Sequence, residues 1–383
     1  MLADRAVYPA GHRLFRDAIR GFIKAEVLPH FRSWEEGGVV ARPFWRAAGA
    51  AGLLCPQVPE AYGGAGGDFM HNATVIEEFA YAGLAGPLSD LTVHSDVAAG
   101  YIEHLGTQEQ KHRWLPRLCN GETVCAVAMT EPGTGSDLQA IKTRATPTAS
   151  GFRVSGSKTF VSNGQQCDLV IVVARTSDAP GARGISLVLV ESDRPGFHRG
   201  RKLDKLGQHS ADTSELFLDG VEVPHENLLG AEGAGFAALM RQLPQERLAI
   251  AITSMAAAQR AFDITCDYVR ERKAFGQAVM AFQNTRHRLA DLQAELCVGW
   301  AYVDQCLLRH VQGGLDATHA SIAKLWCSEM QGRLVDQCLQ FFGGYGFMRE
   351  YEITRLYADA RVQRIYGGTS EIMRELVSRS LRD

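Results

Sequence analysis

"DLVIVVAR" (Asp168–Arg175) is an almost unbroken apolar run of strand length near the middle of a 383-residue chain. "GISLVLVE" (Gly184–Glu191) and "ELFLDGVEVP" (Glu215–Pro224) have the same character, and residues typical of turns separate the runs. Short runs rich in Val, Leu and Phe and bounded by turn residues are typical of β-strands. The sequence therefore predicts a small β domain from about Glu122 to Leu229.

Both sides of this β region have the pattern of helices. Up to about Gly121, apolar residues recur at helical spacing and are interrupted by loops such as "PEAYGGAGGD" (Pro59–Asp68). Beyond Leu229, three stretches of more than twenty residues lack an internal proline: Pro244–Lys273, Asn284–Val311 and Thr318–Phe342. We predict an α+β, mainly α fold, with an N-terminal α-helical domain (residues 1–121), a middle β domain (122–229) and a C-terminal helical domain (230–383).

Composition excludes several classes of protein. The chain is 46% apolar and 22% charged, and its net charge of −3 gives no basic surface for nucleic acid or for a membrane. The apolar runs are too short to span a bilayer, and the N-terminus is amphipathic rather than an apolar signal segment. Nine cysteines are scattered without a C-x-x-C pair. This pattern predicts neither disulfides nor a metal site and favours a cytoplasmic location.

The first candidate site is "AMTEPGTGSDL" (Ala128–Leu138), which follows a β run through a Pro-Gly turn. Thr130 and Ser136 offer hydroxyl groups, and Gly135 allows backbone N–H groups to turn outward and bind an anion. The alternative is an ordinary polar loop between two strands.

The second candidate is "SKTFVSNG" (Ser157–Gly164). Its aromatic residue, Phe160, could lie flat against a ring, and Ser162 could hydrogen-bond the edge of that ring. The alternative is that Phe160 belongs to the core, as most aromatic residues in strands do.

Two Gly-containing stretches of the C-terminal part could approach a phosphate. "RERKAFGQAVMAFQ" (Arg270–Gln283) carries Arg272, which could instead be a solvated cation that stabilises a helix C-terminus. "QFFGGYGFMREY" (Gln340–Tyr351) carries Gly343 and Gly344, although a helix C-cap needs glycine too. Because the chain has no G-x-G-x-x-G motif, any dinucleotide is bound without the Rossmann fingerprint.

"LPQERLAIA" (Leu243–Ala251) carries an acidic residue near a predicted helix start. Pro244 is predicted at the first helical position, which places Glu246 in the first turn. The helix dipole favours an acid there without any catalytic role, so a purely structural role for Glu246 is the alternative.

"RIYGGTSEI" (Arg364–Ile372) has a Gly-Gly pair that would let a ligand come close to the backbone. The following Thr-Ser-Glu could open a helix whose first amide groups face that ligand. The pair itself carries no acid, base or nucleophile, so the reacting group must come from another segment.

Together these stretches resemble the acyl-CoA dehydrogenase family over almost the whole chain. "AMTEPGTGSDL" is similar to the first signature of that family, and "ERKAFGQ", "QFFGGYGF" and "RVQRIYGGTSEI" are similar to its C-terminal flavin motifs, in the same order. "LPQERL" and "YVDQCL" resemble the long-chain branch most closely. The resemblance implies an N-terminal helical domain, a middle β-barrel-like domain and a C-terminal four-helix bundle, in agreement with the predicted layout.

The resemblance implies a noncovalent FAD between the β domain and the bundle. Around the flavin ring it implies Val127, Ala128, Met129, Thr130, Gly135, Ser136, Phe160, Val161 and Ser162. At the pyrophosphate and adenine end, reaching across from a neighbouring subunit, it implies Arg272, Phe275, Gln283, Gln340, Phe341, Phe342, Gly343 and Gly344. Thr369, Ser370 and Glu371 would close the site. A cofactor site shared between subunits implies a homo-oligomer, expected to be a dimer of dimers.

The resemblance also explains the Gly-Gly pair. Most of the family carries the catalytic glutamate where this chain has Gly367, whereas the long-chain and isovaleryl branches carry it on a bundle helix, at the position of Glu246. It therefore implies that Glu246 is the base in the α,β-desaturation of a fatty acyl-CoA thioester to the trans-2-enoyl-CoA, with electrons passing to an electron-transfer flavoprotein. The expected substrate-binding residues are Ser136, Arg183, Pro244, Gln245, Arg247, Tyr366, Gly367 and Gly368; of these, Arg183 is our own hypothesis for a CoA phosphate.

The acyl group is the least determined part of this interpretation. Medium to long chains are favoured, but Ala237 and Ala238 are small where the long-chain branch tends to carry aromatic residues. The alternatives are a branched-chain (isovaleryl-like) substrate, an acyl group bound to a carrier protein, and an acyl-CoA oxidase on the same scaffold. A non-catalytic scaffold protein would need a spoiled flavin site, and these motifs are intact.

Overall fold

The N-terminal part of the protein is helical. In the computed structural model, which describes residues 5–381, it consists of α1 (Gly11–Phe22), α2 (Leu28–Gly37), α3 (Arg42–Ala50), α4 (Phe69–Tyr81), α5 (Ala85–Thr92), α6 (Ala99–Leu105) and α7 (Gln108–Cys119). π-Helical segments, Ile23–Val27 and Val93–Ala98, join α1 to α2 and α5 to α6. The side chains of Asp68 and Thr107 accept N–H bonds from the first turns of α4 and α7, so both helices begin at capped positions.

The middle part is an eight-stranded sheet. Its strands are β1 (Cys125–Ala128), β2 (Arg144–Pro147), β3 (Gly151–Ser162), β4 (Leu169–Arg175), β5 (Ile185–Glu191), β6 (Phe197–Lys202), β7 (Thr213–Pro224) and β8 (Leu228–Leu229). They lie in the order β6-β7-β3-β2-β4-β5-β8, and β1 pairs with β4 in parallel.

The continuous apolar run of β4 has a direct explanation in the two cores of the protein. Leu169, Ile171 and Val173 pack in the core shared with the helices, whereas the alternate residues, Val170 and Val172, pack in a second core inside the sheet. A strand that is buried on both faces has no position for a polar residue. The strand therefore joins the middle domain to the helical domains.

The C-terminal part is built from long helices. They are α8 (Gly235–Glu271), α9 (Gln283–Val311), α10 (Ala317–Phe341), α11 (Glu352–Ala360) and α12 (Ser370–Arg379), with a small hairpin of β9 (Lys273–Ala274) and β10 (Gln277–Ala278) after α8. The predicted fold class and the order of helices, sheet and long helices are confirmed. The domain limits at residues 121/122 and 229/230 stay a prediction. Among the described residues, no helix combines the length and the apolar composition that a membrane span requires.

The predicted start of α8 is wrong. The helix begins at Gly235 rather than Pro244, so Pro244 lies inside it and Glu246 is not in its first turn. The segment before Pro244 is rich in Ala, Leu and Met, which are good helix formers. Proline removes one backbone hydrogen bond, and the packing of α8 against α4, α9 and α10 compensates for that loss. The dipole at a helix N-terminus therefore does not explain Glu246.

The first turn of α8 packs directly on the sheet. A Cβ atom at Gly235 would lie only 2.7 Å from the backbone carbon of Ser186 in β5. Just before it, the N–H of Gly233 donates to the Ser186 hydroxyl over 2.8 Å. This close approach fixes the distance between the sheet and the bundle.

We expect Gly235→Ala to lower the free energy of unfolding by about 1–3 kcal/mol, because the added methyl group overpacks rigid backbone. The measurement is chemical or thermal denaturation of the purified protein. Gly21→Ala is the control: Gly21 lies in α1 with nothing within 4 Å of an added Cβ. It should be neutral or stabilise by about 0.5–1 kcal/mol. Equal effects of the two changes would contradict a close contact at Gly235.

Candidate active site

A cavity of about 500 Å³ lies where the sheet, α5, α8 and the turn before α12 meet. Twelve of the residues proposed from the sequence line it: Val127, Met129, Thr130, Gly135, Ser136, Phe160, Ser162, Glu246, Arg247, Tyr366, Gly367 and Gly368. They come from four separate segments of the chain. The fold thus brings the β-region motifs, the acid of α8 and the Gly-Gly pair to one place.

Several other proposed residues do not line this cavity. Ala128 and Val161 are buried in the core inside the sheet. Pro244 and Gln245 border a separate depression together with Tyr101 and His310; the amide of Gln245 donates to the Asp96 carbonyl over 2.9 Å. Thr369 caps α12 by accepting the Ile372 N–H over 3.3 Å. Beside it, Ser370 is buried and donates to Glu329, and Glu371 is exposed in the first turn of that helix.

Arg183 lies at the surface near the start of α8. It is exposed on a 3₁₀ turn (Gly181–Gly184) that packs against α8 and against the turn Leu138–Ala140. Leu138 and Gln139 of that second turn line the cavity. Arg183 is therefore close to the rim of the cavity without lining it.

Glu246 is the acidic residue of the cavity that is withdrawn from water. The Tyr101 hydroxyl of α6 donates to its Oε1 over 2.9 Å. Burial raises the pKa of Glu246 to about 7, although the hydrogen bond from Tyr101 and the charge of Arg247 act in the opposite direction. The other carboxylates that line the cavity, Asp137 and Glu375, are exposed. A carboxylate that titrates near neutral pH is suited to proton transfer.

The Gly-Gly pair forms a tight turn that lines the same cavity as Glu246. Gly367 and Gly368 have φ values of +63° and +97°, which side chains disfavour. A Cβ at Gly367 would lie 2.4 Å from the Cδ1 of Ile250, one helical turn after Glu246. Ile250 therefore fills the space that a side chain at residue 367 would need.

Phe160 is held in an unusual conformation. Its φ is +56°, its side chain is 68% exposed, and it lies within an irregularity in the pairing of β3 with β7. A non-glycine residue in this region of φ is strained and persists where the surrounding structure enforces it, often at a functional site. Phe160 lines the cavity, as do the hydroxyl-bearing residues Thr130 and Ser162.

The remaining proposed residues form a second group at the far end of the bundle. Arg272 ends α8, and its guanidinium carbon lies 5.9 Å from the centre of the Tyr345 ring. Gly343 and Gly344 are open, with nothing within 4 Å of an added Cβ. The other members lie in the same region: Phe275, which is 96% exposed, Gln283, Gln340, Phe341 and Phe342. Because α8 rises about 1.5 Å per residue, Arg272 lies about 40 Å along the helix from Glu246.

Sequence reasoning missed much of the cavity lining. Residues of α8 at helical spacing around Glu246 line it: Phe236, Met240, Leu243, Ala249, Ile250 and Thr253. Their spacing could have identified them once Glu246 was proposed. Ala237 and Ala238, which are small where the long-chain branch tends to carry aromatic residues, do not line the cavity; their neighbours Phe236 and Met240 do. Tyr101 left no signal in the sequence.

Comparison with known proteins agrees with this geometry. Sequence profiles of the acyl-CoA dehydrogenase N-terminal, middle and C-terminal domains match residues 9–122, 126–221 and 233–382. The long-chain specific acyl-CoA dehydrogenase of Rattus norvegicus mitochondria is 46% identical over 380 residues, which cover 98% of this chain and 88% of the relative.

Solved structures of acyl-CoA dehydrogenases are also similar to this chain. An acyl-CoA dehydrogenase from Geobacillus kaustophilus superposes with a TM-score of 0.96 at 44% identity, covering 98% of each chain. A glutaryl-CoA dehydrogenase from Mycobacterium smegmatis, solved in complex with FADH2, superposes with a TM-score of 0.92 at 27% identity, covering 99% of this chain and 96% of the other. With its fold, its cavity and all three domain profiles in agreement, the chain belongs to the acyl-CoA dehydrogenase family.

Proposed function

We propose that the protein is an FAD-dependent dehydrogenase of medium- to long-chain fatty acyl-CoA thioesters and that Glu246 is its catalytic base. The observation that carries the proposal is Glu246, which lines the same cavity as Gly367 and has a pKa raised to about 7 by burial. The rat relative named above, at 46% identity, supports the long-chain preference.

In this proposal Glu246 accepts the α-proton of the thioester. The α-carbon is a weak acid, so the carboxylate must be desolvated, correctly placed and ionised when it reacts. The hydrogen bond from Tyr101 fixes the position of Oε1, and α8 holds the backbone of Glu246. Bound FAD would supply the acceptor for the β-hydrogen, which leaves as hydride. The product is the trans-2-enoyl-CoA.

The thioester oxygen needs hydrogen-bond donors because negative charge develops on it as the α-proton leaves. In this proposal the backbone N–H of Gly367, a residue that lines the cavity, is such a donor. A glycine at residue 367 keeps this N–H although it carries no acid. The loss of an acid at this position and its presence at residue 246 are therefore compatible with the same chemistry.

The residues around Phe160 fit a flavin. A flat ring could stack on the exposed face of Phe160, and the hydroxyls of Thr130, Ser136 and Ser162 could bind its polar edge. Gly135 has nothing within 4 Å of an added Cβ, so the backbone there is open to a ligand. The glutaryl-CoA dehydrogenase solved with FADH2 is similar in fold. We infer that FAD binds between the sheet and α8.

The distant group around Arg272 supports a cofactor site completed by a second copy of the chain. Arg272 lies about 40 Å along α8 from Glu246. One small molecule that contacts Thr130 in the cavity therefore cannot also reach Arg272 of the same subunit. Exposed Phe275, Tyr345 and Phe347 in this region would be covered by the neighbouring subunit. The proposed assembly is a homo-oligomer, a dimer of dimers.

The remaining parts of the proposal follow from the chemistry. Reduced flavin has to be reoxidised, and we propose an electron-transfer flavoprotein as the acceptor, with an oxidase reaction as the alternative. A branched-chain or carrier-bound acyl group is the alternative substrate. The described cysteines are all free, which is compatible with the proposed cytoplasmic location.

Replacing the base should abolish the reaction and leave binding intact. Glu246→Gln should load FAD and bind acyl-CoA, but substrate should bleach its flavin about 10²–10⁴-fold more slowly. The wild-type rate should rise as the pH passes through about 7, because only the ionised carboxylate accepts a proton. The measurement is anaerobic stopped-flow absorbance with a panel of acyl-CoAs of different chain length. Glu375→Gln, which removes an exposed carboxylate of the same cavity, is the matched control; bleaching of Glu246→Gln at the wild-type rate would refute the assignment.

Restoring a catalytic acid at residue 367 of the Glu246→Gln variant should need two further changes. In the Glu246→Gln background, Gly367→Glu alone should recover little activity, because its side chain would collide with Ile250. Adding Ile250→Ala should give partial recovery, limited by the strain of a side chain at φ +63°, about 1–3 kcal/mol. Glu246→Gln with Ile250→Ala is the control. If the triple variant binds FAD and acyl-CoA yet stays as slow as this control, residues 246 and 367 do not face the same carbon atom.

Removing the cation at the far end of the bundle should weaken the assembly. Arg272→Ala should lose FAD on dilution and lower the stability of the oligomer, measured by flavin fluorescence and analytical ultracentrifugation. Arg270→Ala is the matched control, because Arg270 lies on the last turn of the same helix and pairs with Asp267 over 2.9 Å. Equal FAD retention by the two variants would contradict a cofactor site that includes Arg272 of a second subunit.

A further inference from the structure

Lys324 is a buried cation directly behind the Gly-Gly turn. It lies on α10, its side chain is fully buried, and its Nζ donates to the Gly368 carbonyl over 2.6 Å. Within residues 5–381, no carboxylate lies within ion-pair distance of this ammonium group. A fully buried lysine normally has an anionic partner, so the choice of a backbone carbonyl needs an explanation.

The turn that Lys324 holds is built from the residue type with the least intrinsic backbone restraint. Two consecutive glycines have more backbone freedom than any other residue pair, and both adopt a left-handed conformation here. The other buried cation at the turn makes only long contacts: Arg247 reaches the Gly367 carbonyl at 3.5 Å and the Ser321 hydroxyl at 3.4 Å. The short bond from Lys324 is therefore the strongest contact that restrains this turn from behind.

We propose that Lys324 is a positioning residue of the desaturation reaction, which fixes the Gly367–Gly368 turn so that its backbone N–H groups are held for the thioester. In a trans peptide the carbonyl and the following N–H point in opposite directions. The bond to the Gly368 carbonyl therefore directs the Thr369 N–H away from Lys324, and it holds the Gly367 N–H at the other end of the same turn. This inference rests on the proposed function.

The charge of Lys324 gives the proposal a pH signature. The charged groups that act on it are Arg247 of α8, Glu329 of its own helix and Glu371 of α12. Burial, with a further contribution from Arg247, lowers the pKa of Lys324 to about 8. Above this pH the ammonium becomes a neutral amine, a weaker donor, and the turn is held less firmly. The rate of flavin bleaching should then rise through pH 7 as Glu246 ionises and fall again above pH 8.

The test uses the FAD-loaded, full-length protein and its Lys324→Met and Lys324→Gln variants. Lys324→Met removes the donor, so bleaching at saturating acyl-CoA should slow about 10- to 100-fold, since a misplacement of 1 Å can cost 10²-fold. Lys324→Gln keeps a neutral donor and should be intermediate. Neither variant should show the decrease above pH 8. Cys327→Ala is the matched control, because Cys327 is fully buried on the same helix; it should keep the wild-type rate and pH profile.

Hydrogen exchange of the free protein separates positioning from general destabilisation. Peptides that contain Tyr366–Ile372 should exchange faster in Lys324→Met than in the wild type, and should be unchanged in Cys327→Ala. The inference would be overturned if both Lys324 variants had the bleaching rate, the pH profile and the hydrogen exchange of the wild type. If none of the acyl-CoAs bleaches the flavin of the wild-type protein, the proposed function is overturned instead. The exchange experiment would still report on the turn.

Discussion

The contact between α8 and the sheet is the constraint on which the rest of the site depends. At Gly235 the helix meets the backbone of β5 with no space for a side chain, so the separation of sheet and bundle is set by backbone rather than by adaptable side chains. The same unbroken helix then carries Glu246 into the cavity and Arg272 to the other end of the molecule. One helix thus carries both the proposed base and the proposed subunit contact, and its first turn sets their distance from the sheet, which bears Phe160 of the proposed flavin surface.

Charges are used differently in the scaffold and in the cavity. In the N-terminal domain the buried Glu77 and Glu78 are paired with arginines, among them Arg16 at 2.9 Å and 2.5 Å. At the cavity, by contrast, Glu246 accepts a hydrogen bond from a neutral tyrosine, and behind the Gly-Gly turn Lys324 donates to a peptide carbonyl. A buried ionisable group whose hydrogen-bond partner is neutral is costly to ionise, and its pKa shifts toward the neutral form. The paired glutamates brace the N-terminal domain, while burial brings the pKa of Glu246 to about 7 and that of Lys324 to about 8, where proton transfer and pH sensitivity are possible.

Sequence reasoning was reliable where local pattern and structure agree, and it failed where long-range packing overrides local rules. The strand run at β4 and the long helices followed from the spacing of apolar residues. The start of α8 did not, because proline is a strong local signal for a helix start and packing of the whole helix outweighs it. The family resemblance located Thr130, Phe160, Glu246 and the Gly-Gly pair. It also suggested Pro244 and Gln245, which the helix turns away from the cavity. Nothing in the sequence distinguishes Tyr101 and Lys324 from other residues. Their proposed roles depend on the contacts that the fold creates.

The packing of Ile250 against Gly367 has an evolutionary consequence. While Ile250 fills the space above the turn, an acidic residue that arises at position 367 meets both a collision and an unfavourable backbone conformation. Shortening Ile250 first would open a void beside the proposed base and bring no benefit by itself. Each single step away from the present arrangement is therefore disfavoured, although the two steps together could be tolerated. With Glu246 as the proposed base, moving the acid to residue 367 is a case of sign epistasis, in which the benefit of one change depends on the other having been made first.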